Sequence, residues 1–213
     1  MTFDEKPHLT AVHRQVTTIT RDGTHLRSAS LTRVYATTQA DLWDALTQTD
    51  RLPRWFAKVT GDLRLGGRFQ IEGNASGQIL TCQAPEFLEL TWEYGNDVSW
   101  VEVRLSTTQD GQARLSLTHS APETNHWVQF GPGATGVGWE WSFMELARQI
   151  AAPSTLKFDE DAFAATPQGK AFVMGSSQLW AQAAIAAGAD TATATAAARR
   201  TAAFFLGLTE DQP

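Results

Sequence analysis

From residue 59 to residue 120 the chain alternates between apolar and polar positions and is cut at short intervals by turn formers. Leu88, Leu90, Trp92 and Tyr94 fall on one face of an extended segment, and Glu89, Thr91 and Glu93 on the other. Val101, Val103 and Leu105 alternate with Glu102 and Arg104, and Leu115 and Leu117 with Arg114 and Ser116. The pattern predicts six strands, over 59–64, 67–72, 77–84, 87–94, 98–107 and 113–120. Gly66-Gly67, Gly73-Asn74, Ala84-Pro85, Gly95-Asn96-Asp97 and Asp110-Gly111 separate them. Connections this short make neighbouring strands antiparallel, with one face buried and one wet.

Before this run, Leu26 to Ala36 reads as a further strand. Thr38 to Thr47 reads as a helix, with Thr38 as N-cap, Asp41 in the first turn and an apolar stripe of Leu42, Ala45 and Leu46. Asp50 is the expected cap of a shorter helix reaching Phe56, with Pro53 in its first turn. Residues 1–23 are polar and read as irregular, ending in the turn Asp22-Gly23. After the strands, a glycine-rich stretch from Gly131 to Gly138 reads as a loop. A helix follows from Val137 to about Ala151, where Trp139, Phe143, Leu146 and Ile150 recur at helical spacing. A one-sided apolar sheet has to be covered, and this helix is the available cover. The expected product is an α+β domain: a curved antiparallel sheet of seven strands round a long helix, with an apolar cavity between them.

Beyond a linker at 153–165, helices from Gln168 to Ala187 and from Asp190 or Thr191 to near Gly207 read as a hairpin. Gly188 is placed to close the first of them. The expected division is an N-terminal arm at 1–24, the sheet-and-helix domain at 25–152 and a helical extension at 153–213. The extension packs on the domain or on a partner, and a homodimer through these helices is one use for it.

Composition narrows the chemistry. Formal net charge is −6 over 213 residues, and no basic run offsets it, which argues against nucleic acid as a partner. A single cysteine, Cys82, excludes an internal disulfide and a cysteine zinc site, and the default reading of its thiol is a buried, inert one. No apolar run is long enough to span a membrane and the first residues are polar, so a cytoplasmic location is expected. Arginine outnumbers lysine and alanine is abundant, which suggests a bacterial source.

The quoted segments also carry a resemblance. Arg33-Val34-Tyr35-Ala36, Leu42-Trp43-Asp44-Ala45-Leu46-Thr47, Leu52-Pro53-Arg54-Trp55-Phe56, Gly66-Gly67-Arg68-Phe69, Gly77, Leu90-Thr91-Trp92-Glu93, Leu115-Ser116-Leu117-Thr118-His119 and Gly138-Trp139-Glu140 stand in the order of one family. Over roughly residues 25–150 the chain resembles the START-related helix-grip superfamily, also called SRPBCC, whose fold is that of the birch-pollen allergen. Within it the chain is similar to the branch named after the C-terminal domain of the activator of the ninety-kilodalton heat-shock protein ATPase. The resemblance implies a helix-grip cavity and a small apolar ligand; it implies no fixed catalytic set. The C-terminal hairpin lies outside the minimal domain, and the co-chaperone's N-terminal domain is not in this sequence.

Each candidate for chemistry competes with a structural role. Gly66-Gly67-Arg68 lacks the Lys-Ser/Thr end of a phosphate loop and reads as a hairpin turn. His119, His126 and Glu140 match no metal-ligand spacing, so no metal and no cofactor is expected. His119 reads as the end of a strand at the sheet edge, and His126 and Trp127 as part of a loop over the cavity mouth. Glu93, Asp97, Glu102 and Glu140 are the carboxylates available for an acid–base pair. The aromatic and aliphatic residues Trp55, Phe56, Phe69, Ile71, Trp92, Trp100, Trp139 and Phe143, with His119, are the expected cavity lining. A binder of a small hydrophobic molecule is the leading reading. A cyclase- or hydrolase-type enzyme in the same cavity, or a chaperone-regulating partner module, are the alternatives.

Overall fold

The computed structural model describes residues 3–208. The elements run α1 (Lys6–Thr10), β1 (His13–Arg21), β2 (Thr24–Tyr35), α2 (Gln39–Thr47), a 3-10 turn (Leu52–Arg54), β3 (Val59–Gly61), β4 (Arg68–Ile71), β5 (Ser76–Gln83), β6 (Phe87–Tyr94), β7 (Asp97–Thr107), β8 (Ala113–Pro122), α3 (Asn125–Phe130), α4 (Gly133–Ala151), α5 (Glu160–Ala164), α6 (Pro167–Ala186) and α7 (Thr191–Phe205). The architecture is α+β, with an eight-stranded sheet in the order β1-β2-β8-β7-β6-β5-β4-β3. The chain divides into two compact units. Among the described residues one comprises 3–31, Pro122–Trp141 and 158–208, and the other Thr32–Ala121 and Ser142–Lys157.

The second unit holds the ladders β3 to β8, all antiparallel. Its predicted strands lie within a few residues of the observed ones, because the turn glycines fix where each ends. Thr38 caps α2 as expected, its side chain accepting from the Asp41 N–H. Asp50 does not cap the following turn. That turn is a single 3-10 turn preceded by Arg51, and Asp50 instead pairs with Arg54 at 3.1 Å. A bulge between Ile79 and Thr81 shifts the β5 register by one residue, so that Ile79 opposes Leu90 and Thr81 opposes Glu89. The extra residue returns the polar Thr81 to the polar face and bends the strand. Cys82, expected to be buried, is exposed at the end of β5.

The first unit departs further from expectation. Residues 1–23 are not irregular: they contain α1 and β1, which raises the strand count from seven to eight. Strand β1 ends the sheet and has no fully buried residue, so it carries no apolar alternation to announce it. His126 and Trp127 lie in the short helix α3 rather than in a loop. The glycine-rich stretch is helical from Gly133 onward. A Cβ on Gly136 would stand 2.1 Å from the Trp180 ring, and one on Gly133 3.2 Å from Thr201. These glycines let α6 and α7 approach α4, and that packing overrides their poor helix propensity. The C-terminal hairpin forms as predicted. Asp190 caps α7 by accepting from the Thr193 N–H, and Gly188 closes α6 with φ +97°.

A buried ion pair joins two elements of this unit, β1 and α4. Arg14 of β1 donates from Nε and Nη2 to the two carboxylate oxygens of Glu140 on α4, at 2.5 Å each, with side chains 7% and 1% exposed. From α6, Ser176 and Trp180 face the same carboxylate. Both are buried, and neither completes a hydrogen bond to it. Burial pushes the Glu140 carboxyl up, and the Arg14 guanidinium opposes that shift.

Candidate functional site

Register decides which side chains share a face in the second unit. Val101 opposes Leu90 and His119; Val103 opposes Leu88 and Leu117; Leu105 opposes Leu115. Together with Phe69, Ile71 and Ile79 these residues make one continuous apolar face. Its centre is closed: Val101, Val103, Leu115 and Leu117 are buried. Toward β6 the face is only half covered. There Leu88, Leu90 and Trp92 stand half-buried beside buried Phe69, Ile71 and Ile79. Phe56, Val59 and Leu63 extend the same wall from the connection that enters β3, from β3 itself and from the connection that leaves it.

Two polar groups interrupt this face. Ser99 shares the register of Trp92, and its hydroxyl donates to the Trp92 carbonyl at 3.0 Å. His119 lies with Nε2 2.8 Å from the Ser99 hydroxyl and its ring 5.9 Å from the Trp92 ring. His119 is not at a sheet edge, because β8 lies between β2 and β7. Desolvation pushes its pKa down to about 4, so the ring is neutral at physiological pH.

A histidine held neutral in the native state titrates near 6.5 in the unfolded chain. Its contribution to stability is complete above that pH and is lost as pH falls toward 4. Allowing for the ring's partial exposure, the native state should lose about 1 to 2 kcal/mol between pH 7.5 and pH 5 through this group. Urea unfolding of the wild type and of His119→Gln at both pH values checks this. The wild type should show the steeper loss, and equal slopes would refute it.

The expected lining residues separate by burial and by face. Phe56, Phe69, Ile71, Trp92 and His119 come together on the apolar face. Trp55 is a core residue, 5% exposed, whose indole N–H donates to the Ala45 carbonyl at 2.9 Å and fastens the 3-10 turn to α2. Phe143 is also core, 2% exposed, with its ring 6.2 Å from Tyr35. Trp139 falls in the other unit. Trp100 is a correction: it opposes Thr91 and Ser120, on the face opposite to Trp92. Its neighbours along β7 on that face are Glu102 and Arg104. Ser99, which sequence reasoning missed, is marked by sharing the parity of Val101 and Val103.

The carboxylates do not converge. Glu93 turns to the polar face, where hydrogen bonds from Arg68 and Thr91 hold its carboxyl below the usual range. Glu102 is on that face as well, beside Arg104. Glu140 is committed to Arg14 in the other unit. The His126 ring lies 4.7 Å from that of Phe130 and tilted to it, also in that unit. Among the described residues no cluster of three or more His, Cys, Asp or Glu side chains could hold a metal, and no helix is long and apolar enough to cross a membrane.

Comparison with known proteins gives the same picture of the fold. The family model described as activator of Hsp90 ATPase homolog 1-like protein matches residues 36–151, just over half of the chain. The crystal structure of CalU16 from Micromonospora echinospora is 30% identical, with TM-score 0.66, covering 81% of this chain and 98% of that one. The solution structure of CalU16 gives 29% identity and TM-score 0.67 over 83% and 97% of the two chains. MLL2253 from Mesorhizobium loti shares the fold at 24% identity and TM-score 0.52, over 61% of this chain and all of that one. No curated protein matches the chain.

Proposed function

The chain belongs to the activator of Hsp90 ATPase homolog 1-like family, and on that premise we propose that it binds a small hydrophobic molecule against the apolar face of β4 to β8. One observation carries this reading. Leu88, Leu90 and Trp92 are large apolar side chains on the same face as a packed core, yet they remain only half-buried. Leaving them uncovered forgoes about 25 cal/mol for each Å² of apolar surface, which an apolar ligand would recover. The wall is ring-rich at both ends, with Phe56 at one and Trp92 at the other. Among the described residues, the carboxylates considered for an acid–base pair do not converge on it, which favours binding over hydrolysis or cyclisation.

Titration with an apolar fluorescent dye, followed by tryptophan emission, tests the reading. A saturable response that weakens at least tenfold in Leu90→Lys supports it, since a charge on this face has no partner there. A linear response, or one unchanged by Leu90→Lys, overturns it. Circular dichroism of Leu90→Lys, matching that of the wild type, excludes loss of fold as the cause.

A further inference from the structure

Helix α3 buries none of its six residues, although Trp127, Val128 and Phe130 are apolar. Val128 is 61% exposed. The C-terminal end of α7 packs beside it. The Phe204 ring lies 5.7 Å from that of Phe130 and is itself 61% exposed, and the Phe205 ring lies 5.4 Å from that of Phe204. Two hydrogen bonds hold the two helices together. Arg200 donates from Nε to the Gln129 carbonyl at 2.7 Å, and the Thr201 hydroxyl donates to the Phe130 carbonyl at 2.9 Å. The side chains are thus presented as one fixed patch, and an exposed apolar patch of this kind marks an interaction surface.

The charges around the patch select its counter-surface. Neither α3 nor α7 contains an aspartate or a glutamate, and their basic residues are His126, Arg199 and Arg200. Glu123, ahead of α3, is paired with Arg27 at 2.5 Å, and Asp190 caps the far end of α7. The formal net charge of −6 is carried by other segments, and salt screens it beyond about 10 Å. A second copy docked patch to patch would set arginine against arginine, with no carboxylate of either helix between them. Side chains that are 61% exposed project into solvent rather than line a cleft, so they suit a fluid surface that closes round them better than a folded partner. Large apolar side chains beside arginine are also the residue types that settle at a membrane interface. We propose that α3 and the end of α7 form a peripheral docking patch for an anionic lipid bilayer. Val128 and Phe204 insert at the boundary of headgroups and acyl chains, and Arg200 lies at the level of the phosphates.

Flotation of the full chain with two kinds of vesicle tests this: phosphatidylcholine alone, and equal parts of phosphatidylcholine and phosphatidylglycerol. Wild type should partition about tenfold more strongly onto the mixed vesicles, and added salt should weaken that binding. The double variant Val128→Ser/Phe204→Ser should lose about tenfold of the partitioning. Both side chains are exposed, so circular dichroism of the variant should match that of the wild type. Wild type that floats with neither vesicle overturns the proposal. Equal partitioning onto both does so too, as does partitioning that the double variant retains in full. Light scattering reads the competing use of the patch. A wild-type dimer that the double variant breaks into monomers would make the patch an interface between copies and overturn the membrane docking. If the double variant does not fold, the wild-type comparison of the two vesicles decides by itself.

Discussion

Replacing Arg14 with leucine should destabilise the native state by about 3 to 5 kcal/mol, the usual result of removing one partner from a buried ion pair. Arg14 supplies both N–H groups that satisfy the Glu140 carboxylate, and that side chain is 1% exposed. Without it, Glu140 must be buried charged and unpaired or take up a proton. The Ser176 hydroxyl and the Trp180 indole stand nearby but do not complete hydrogen bonds, so they offset only part of the loss. The double variant Arg14→Leu/Glu140→Leu removes both charges together and should regain most of the stability. Urea unfolding of the two single variants and the double variant forms a cycle that isolates the pair. A single-variant loss below about 1 kcal/mol would show that the pair does not hold this unit together.

Phe143→Ala should cost a comparable amount, about 3 to 5 kcal/mol, by a different route. The ring is 2% exposed, so truncation opens a cavity on α4 beside Tyr35 that the neighbours cannot fill. Tyr35 is itself buried, and its hydroxyl donates to the Phe143 carbonyl at 3.3 Å, which anchors that turn of α4 and resists collapse into the void. Phe143→Leu keeps most of the volume and should cost less than about 1.5 kcal/mol. Thermal unfolding of the two variants checks the contrast. Equal effects from alanine and leucine would rule out cavity formation as the cause.

The alternation from residue 59 to residue 120 made the sheet legible, because β4, β7 and β8 have one face more buried than the other and glycine or proline turns punctuate the run. The same alternation also carries the faces. His119 shares its parity with Leu115 and Leu117, whereas Trp100 is one residue out of step with Val101 and Val103. Trp100 therefore lies on the face opposite to Trp92. The first unit was far less legible. Strand β1 lacks an apolar stripe because it ends the sheet, so Arg14 had no recognised element on which to stand, and its partner Glu140 read as a candidate for chemistry. The glycines at 133 and 136 followed local propensity to the wrong answer. Their helical state depends on Thr201 and Trp180, some forty to seventy residues away, and no local window contains that contact.

That close contact also constrains how the chain can change over generations. An indole resting on a residue with no side chain leaves two positions that cannot drift independently. Any larger residue at 136 demands a smaller one at 180, and a lineage that shed the C-terminal hairpin would release 136 to become an ordinary helix former. Gly136 and Trp180 are thus one steric unit, in which the volume of either residue sets the volume the other can have.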